Sequence, residues 1–123
     1  MLVIRTYLDR SPIHGVGIFT SEFVKKGTRI WEHHPLMDFK LTPEQLNELP
    51  EPAREFVEIV AVPYPFGADN YWLSLDNCNY MNHSDTPNTE GLVIGVANVD
   101  IPKDTELTVD YYKVDHRTKE YGN

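Results

Sequence analysis

Between two apolar, β-prone runs the chain carries NYMNHSDTPN, residues 79–88, in which three asparagines, a histidine, a serine, an aspartate and a threonine surround one proline. Side chains of this kind are costly to bury unless each finds a hydrogen-bond partner. The flanking runs, Tyr71–Leu75 and Gly91–Ala97, read as strands, the second of them as a buried one. The segment between them, residues 76–90, must therefore either lie in water as a long polar connection or be wired to the rest of the fold. Asparagine and aspartate commonly satisfy neighbouring backbone groups in loops. Taken alone, the segment is a stiff polar loop.

The rest of the chain divides into short strands. Val3–Tyr7 suits a strand, and Ser11-Pro12 ends it. Gly15 and Gly17 make a loop that backbone or a ligand can approach closely, and Gly17-Ile18-Phe19 starts a strand. Lys25-Lys26-Gly27 is a turn, and Thr28–Glu32 is strand-like. Thr42, Pro43 and Gln45 form a helix start with a capping box, and that helix stops by Pro50. Residues 53–60 make a second short helix with Phe56, Ile59 and Val60 on one face, ended by the stretch Pro63–Gly67. Ile101–Asp104 is a turn, and Glu106–Tyr112 a final strand. The pattern Val24, Lys26, Thr28, Ile30 returns 77 positions later as Ile101, Lys103, Thr105, Leu107, with Asp104 in the place of Gly27. Shared turn chemistry accounts for that echo.

The 123 residues suffice for one modest domain, and 41% hydrophobic residues suffice for a core. The net charge of −8, from 11 basic and 19 acidic residues, argues against direct nucleic-acid binding and is compatible with a basic peptide as partner. Cys78 is the lone cysteine, which excludes a disulfide framework and a cysteine-rich zinc site. The N-terminus shows no signal-peptide pattern, and no run approaches the ~20 apolar residues of a membrane span. The expectation is an intracellular, cytoplasmic protein without bound metal.

Three separated blocks carry a resemblance. His14–Phe19 with Lys26-Gly27-Thr28 and Ile30-Trp31-Glu32, Asn82-His83-Ser84 with Pro87-Asn88, and Glu106–Tyr111 resemble, in order, the three signature blocks of the SET-domain protein lysine methyltransferases. The resemblance covers about residues 3–112. It implies a mainly β fold of short strands in several small sheets, around a knot-like C-terminal crossing, with a short helical insert at about residues 38–70. The domain would span residues 1–112, and 113–123 would be a polar tail. It also implies S-adenosylmethionine as cofactor, with Gly15, Val16, Gly17, Asn82 and His83 against it, and S-adenosylhomocysteine as product. An asparagine amide both donates and accepts, which suits an adenine edge. Ser84 and Asn88 would be wiring at the crossing. Tyr111 aligns with the family's catalytic tyrosine and would also touch the cofactor. Tyr112 and Tyr71 are candidates for the substrate-lysine channel, while Tyr80 suits core packing. The implied reaction is methyl transfer to lysine in a basic protein or peptide. If that substrate is histone, the setting becomes nuclear. A homodimer is compatible with the family's small members.

The chain also departs from the family's pattern. Asn79 stands where an arginine is frequent, Asp85 where a cysteine is frequent, and no cysteine-rich segment follows Tyr111 to close the channel. Closure would fall to Lys113–Tyr121, a second copy or the substrate. The alternative within the family is a non-catalytic module that binds a basic peptide or the cofactor. Cys78, His83 and Asn88 follow the order of a cysteine-protease triad but share one loop, unlike such triads. His33 and His34 are adjacent and point to opposite faces of a strand, so with His83 they make a poor metal site, and a solvated pair is expected.

Overall fold

The computed structural model describes residues 1–63, 70–91 and 94–110, and the fold is built in it from ten short strands and two helices. Strands β1 (Thr6–Arg10) and β2 (Val16–Thr20) form an antiparallel pair. Strands β3 (Arg29–Glu32), β9 (Ile94–Ala97) and β8 (Thr89–Glu90) make a three-stranded sheet in that order. A second such sheet joins β4 (Asp38–Leu41), β6 (Tyr71–Ser74) and β5 (Val62–Pro63). A 3-10 turn at Asn77–Tyr80 precedes β7 (Asn82–His83), which pairs in parallel with β10 (Thr108–Val109). The expected mainly β architecture of small sheets is therefore present.

The helices α1 (Pro43–Asn47) and α2 (Glu51–Val60) lie between β4 and β5. The Thr42 side chain accepts from the Gln45 backbone, and the Gln45 side chain accepts from the Thr42 backbone, which is the capping box expected from the sequence. Leu46, Val57 and Ala61 form a small core there, covered by Leu41, Leu49, Tyr71 and Leu73. The main core is separate and contains Ile18, Val24, Ile30, Trp31, Met81, Ala97, Ile101, Leu107 and Val109, with Tyr80 and Cys78 packed on it. Tyr80 thus serves packing, as its position suggested.

The internal echo has a structural meaning beyond turn chemistry. Val24 and Ile101 face each other as an antiparallel bridge, each N–H donating to the other's carbonyl at 2.8 and 2.7 Å. Around them the bonds come in exchanged pairs. Gly27 N–H donates to Ala97 O and Asp104 N–H to Thr20 O, while Thr20 N–H reaches Thr105 O and Ala97 N–H reaches Thr28 O. Every partner is matched by one 77 positions away, as a two-fold axis through the bridge requires. Gly27 and Asp104 both adopt positive φ, 89° and 62°. Glycine does so without steric cost and aspartate is among the residues that tolerate it.

Three strand expectations shift. The strand expected at residues 3–7 lies at 6–10. Val3 N–H donates to Ile30 O and Leu2 bridges Trp31, so the chain changes sheet partner near Arg5 although its alternation continues. The strand expected across 91–97 begins at Ile94, after Gly91 at φ 120°, and its residues alternate between covered and exposed instead of being buried on both faces. Leu92 and Val93 lie outside the described residues, as do residues 64–67 of the helix-ending stretch. The final strand, expected from Glu106, ladders only at Thr108–Val109 among the described residues.

That last difference has a physical reason. Leu107 N–H donates to Ile18 O, and Val109 O accepts from Ser84 N–H, so one edge of the segment faces β2 and then β7. Alternate residues present their backbone groups to the opposite edge. There Asn88 takes the place of a strand: its Nδ2 donates to Glu106 O at 2.8 Å and its Oδ1 accepts from Thr108 N–H at 2.9 Å. The Thr89 hydroxyl donates to Thr108 O on the same edge. Residues 84–88 therefore pass from one edge of the C-terminal segment to the other and wrap it. Asn88 and Ser84 act as wiring, as expected.

Two consequences can be measured. Asn88→Ala leaves Glu106 O and Thr108 N–H without partners in a covered position and should lower stability by about 2–4 kcal/mol in urea unfolding. Asn88→Asp cannot donate to Glu106 O and should recover only part of that loss. The second concerns Asp38, which is buried and accepts from the Met1 ammonium at 2.9 Å, from His34 N–H at 2.7 Å and from the Ser74 hydroxyl. Burial alone would raise its pKa, but the ammonium, hydroxyl and backbone bonds together hold it below the ordinary value. A depressed pKa contributes stability above the unfolded-state pKa that is lost as pH falls through the native value. Asp38→Asn should therefore cost about 1–3 kcal/mol at pH 7, and its stability curve should converge on that of the wild type in acid.

Candidate functional site

The three sequence blocks meet at the side chain of Asn82. This residue is 7% exposed, on β7. Its Nδ2 lies 3.0 Å from His14 O, 3.3 Å from Val16 O and 2.9 Å from Glu106 Oε2. One amide nitrogen thus ties the first block, the second and the third together. Three acceptors around Nδ2 also fix the amide's orientation, since the flipped group would set its oxygen against all three. The carbonyl oxygen Oδ1 consequently faces away from the 14–16 loop.

Glu106 is the second hub, and sequence reasoning assigned it no role. Its carboxylate accepts from Asn82 and, through both oxygens, from the Ser11 hydroxyl at 2.8 and 2.9 Å. Ser11 Oγ in turn accepts from Ile13 N–H and His14 N–H, and Ser11 N–H donates to Gly15 O. The loop that leads into β2 is therefore held on both sides. The signal available in the sequence was a serine four residues before Gly15 and a glutamate at the start of the last block, neither distinctive alone.

The two glycines of the first block have different reasons to be glycine. Gly15 adopts φ 48°, and a Cβ there would meet nothing within 4 Å, so the backbone conformation selects it and open space adjoins it. At Gly17 a Cβ would collide with Glu106 Oε2 and force the carboxylate out of its place beside Ser11 and Asn82. Val16 between them is exposed at 46%.

His83, half-buried, follows Asn82 on β7. Its Nε2 lies 2.9 Å from Asp85 Oδ1 and its Nδ1 3.9 Å from Asp110 Oδ1. Asp85 and Asp110 come from opposite sides of the crossing, so the imidazole is held between the second and third blocks. Asp110 also lines a small cavity of about 90 Å³, together with Pro87, Thr89, Glu90, Gly91, Asn98 and Val109. Tyr71 lies elsewhere, on β6 opposite Leu41, with its ring against the insert core. Tyr111 and Tyr112 lie outside the described residues. Tyr111 follows Asp110 directly in the chain.

The rival chemistries have structural answers. Burial pushes the Cys78 thiol up to about 12, with the Asp76 and Asp38 carboxylates adding to the effect and the Met1 ammonium opposing it. Such a thiol is a poor nucleophile. The two adjacent histidines are engaged locally: the His33 ring sits 5.0 Å from the Trp72 ring, and His34 Nδ1 accepts from Leu36 N–H. Among the described residues no group of three or more His, Cys, Asp and Glu side chains could hold a metal ion. Asn79, where a cationic donor was missed, uses its amide to hold the backbone at Ser74 and Asp76.

The arrangement defines a class: a small β domain whose wrapped C-terminal segment meets a glycine loop through a buried asparagine. The chain belongs to the SET-domain family, whose model matches residues 15–112. Among solved structures it is similar to a candidate histone methyltransferase of Plasmodium falciparum, with 25% identity and a TM-score of 0.62, covering 88% of this chain and 93% of that one. It is also similar in fold to a chain of an active polycomb repressive complex 2 in the basal state, at 18% identity and TM-score 0.64, covering 88% of this chain and 15% of that one. No curated protein matches it. The kinship to lysine methyltransferases expected from the three blocks is thereby established at the level of family and fold.

The donor set suits a cationic cofactor such as S-adenosylmethionine. Backbone at Gly15 is open to approach, Asn82 Oδ1 faces away from the loop, and the carboxylates Asp85, Glu106 and Asp110 stand at the site, two of them against the His83 imidazole.

A direct check separates this site from thiol chemistry. Cys78 should resist a maleimide at pH 8 in the native protein and react fully once urea unfolds it.

Proposed function

We propose that this protein transfers a methyl group from S-adenosylmethionine to the side-chain amine of lysine in a basic protein or peptide. The observation that carries this is the convergence on Asn82: one buried amide binds the carbonyls of the 14–16 loop and the carboxylate of Glu106, five residues before Tyr111. The family membership of residues 15–112 supports the same reading. The 14–17 backbone and the Asn82-His83 pair would hold the cofactor, which when bound supplies an electrophilic methyl.

The chain's own part is positioning. Free lysine has a pKa of about 10.4, so at pH 7 only about one in 2,500 is neutral and able to attack. An apolar channel disfavours the ammonium, and so does a neighbouring positive charge. Tyr111 would orient the amine by a hydrogen bond, and alignment supplies the remaining advantage. Tyr112 would wall the channel, and the chain's negative charge would draw a basic substrate. A second copy of the chain would be one way to complete that wall.

Calorimetry with S-adenosylmethionine and S-adenosylhomocysteine, followed by labelled methyl transfer to histones and other basic proteins, tests the reading. Absence of binding by the folded protein at millimolar cofactor would overturn it. Tyr111→Phe should reduce turnover by about 10–100-fold or change the number of methyls added, with cofactor affinity close to wild type. Asn82→Ala should instead weaken cofactor binding about tenfold and lower stability by about 1–3 kcal/mol.

A further inference from the structure

Three carboxylates stand at the site, and they differ in what faces them. Asp85 and Asp110 both meet the imidazole of His83. Glu106 meets only neutral donors, the hydroxyl of Ser11 and the amide of Asn82, and no cation pairs with it among the described residues. Among the described residues its charge is therefore solvated by hydrogen-bond donors but not cancelled. It is half-buried, so solvent screens it less than an exposed carboxylate. It lies directly under the loop, in contact distance of where a Cβ of Gly17 would be, and one amide away from the carbonyls of His14 and Val16.

We infer that Glu106 is a charge-selecting positioning residue: its uncancelled carboxylate beneath the glycine loop favours the sulfonium-bearing cofactor over the neutral thioether product. This rests on the proposed methyl-transfer function, in which the 14–17 loop and Asn82 line the cofactor. The two ligands share the adenosine and amino-acid parts and differ by one methyl and one positive charge. Contacts that merely shape the loop act on both alike. A fixed negative charge acts on the difference between them, and at an effective dielectric constant near 20 a unit charge remains worth about a tenfold preference over roughly 10 Å. Ser11 and Asn82 hold the carboxylate in place without neutralising it.

The experiment measures dissociation constants of both ligands by calorimetry for the wild type, Glu106→Gln and Glu106→Asp, with thermal unfolding as a check on folding. The expected result is that Glu106→Gln weakens S-adenosylmethionine about five- to tenfold more than S-adenosylhomocysteine. Glu106→Asp, which keeps the charge, should retain the wild-type ratio even where both ligands bind more weakly. Equal weakening of both ligands in Glu106→Gln would make Glu106 a structural anchor only and overturn the inference. If Glu106→Gln does not fold, Glu106→Ala takes its place: it also removes the charge and should lower the preference for the cation, and equal weakening of both ligands would overturn the inference. Binding of neither ligand by the wild type would instead sink the proposed function itself.

Discussion

The segment from Thr105 to Asp110 has to satisfy backbone groups on both edges while another stretch of chain wraps it. On one edge ordinary strands do this, first β2 and then β7. On the other, the wrapping residues are turning and cannot run alongside as a strand. The amide of Asn88 solves the problem because it carries a donor and an acceptor, spaced much like those of a peptide group. It binds Glu106 O and Thr108 N–H together, and Thr89 completes the edge. Part of the polarity of NYMNHSDTPN follows from this requirement. Its asparagines Asn79, Asn82 and Asn88 are structural partners of the backbone, placed where desolvation makes an unpaired group costly.

The same region shows how a nearly symmetric frame supports an asymmetric site. Residues 18–30 and 95–107 exchange equivalent backbone bonds about the Val24–Ile101 bridge. The side chains at matched positions diverge. Arg29 is exposed and pairs with Glu32, whereas its counterpart Glu106 is half-buried among Ser11, Gly17 and Asn82. Ile18 fills the core at 0% exposure, whereas its counterpart Gly95 leaves room for the Trp31 ring. Backbone pairing gives both halves their shape, and only one half acquires polar chemistry. That division suits function living in a site carried by a fold and not in the fold itself.

What was legible in the sequence follows from whether a feature is local. The capping box at Thr42 and Gln45, the turns at Lys25–Gly27 and Ile101–Asp104, and the strands at Arg29 and Tyr71 each depend on neighbours in the chain. The 77-residue echo was visible but its geometry was not, because turn chemistry gives no sign that two copies will face each other. The strand at residues 3–7 was displaced because alternation does not mark where a strand changes partner. Glu106 and Ser11 escaped notice because their roles come from contacts across 95 positions. Asn82 was singled out as a cofactor residue, while the amide's bonds to two loop carbonyls and a carboxylate are a matter of tertiary structure. Tyr111, on which the proposed chemistry turns, lies outside the described residues, so its role rests on the family block and on its place after Asp110.

A negative charge beneath the loop bears on which step it can assist. In methyl transfer to an amine the total charge is conserved, moving from sulfur to nitrogen. A carboxylate nearer the sulfur stabilises the starting arrangement more than the later one, and so does not by itself speed bond making. In the proposed reading its benefit would lie in exchange: the product, having lost its charge, would be held less firmly than the incoming cofactor. Where release of product limits turnover, that difference raises the rate although the chemical step gains nothing. In the proposed reading the chain's net negative charge would act in parallel on the substrate, drawing a basic peptide toward the domain while also favouring its ammonium form. An apolar channel beside Tyr111 would have to overcome the second effect without giving up the first. In the proposed reading, the placement of charge is therefore as important as its sign: a carboxylate close under the cofactor loop acts on the cofactor, and the chain's net negative charge acts on the substrate.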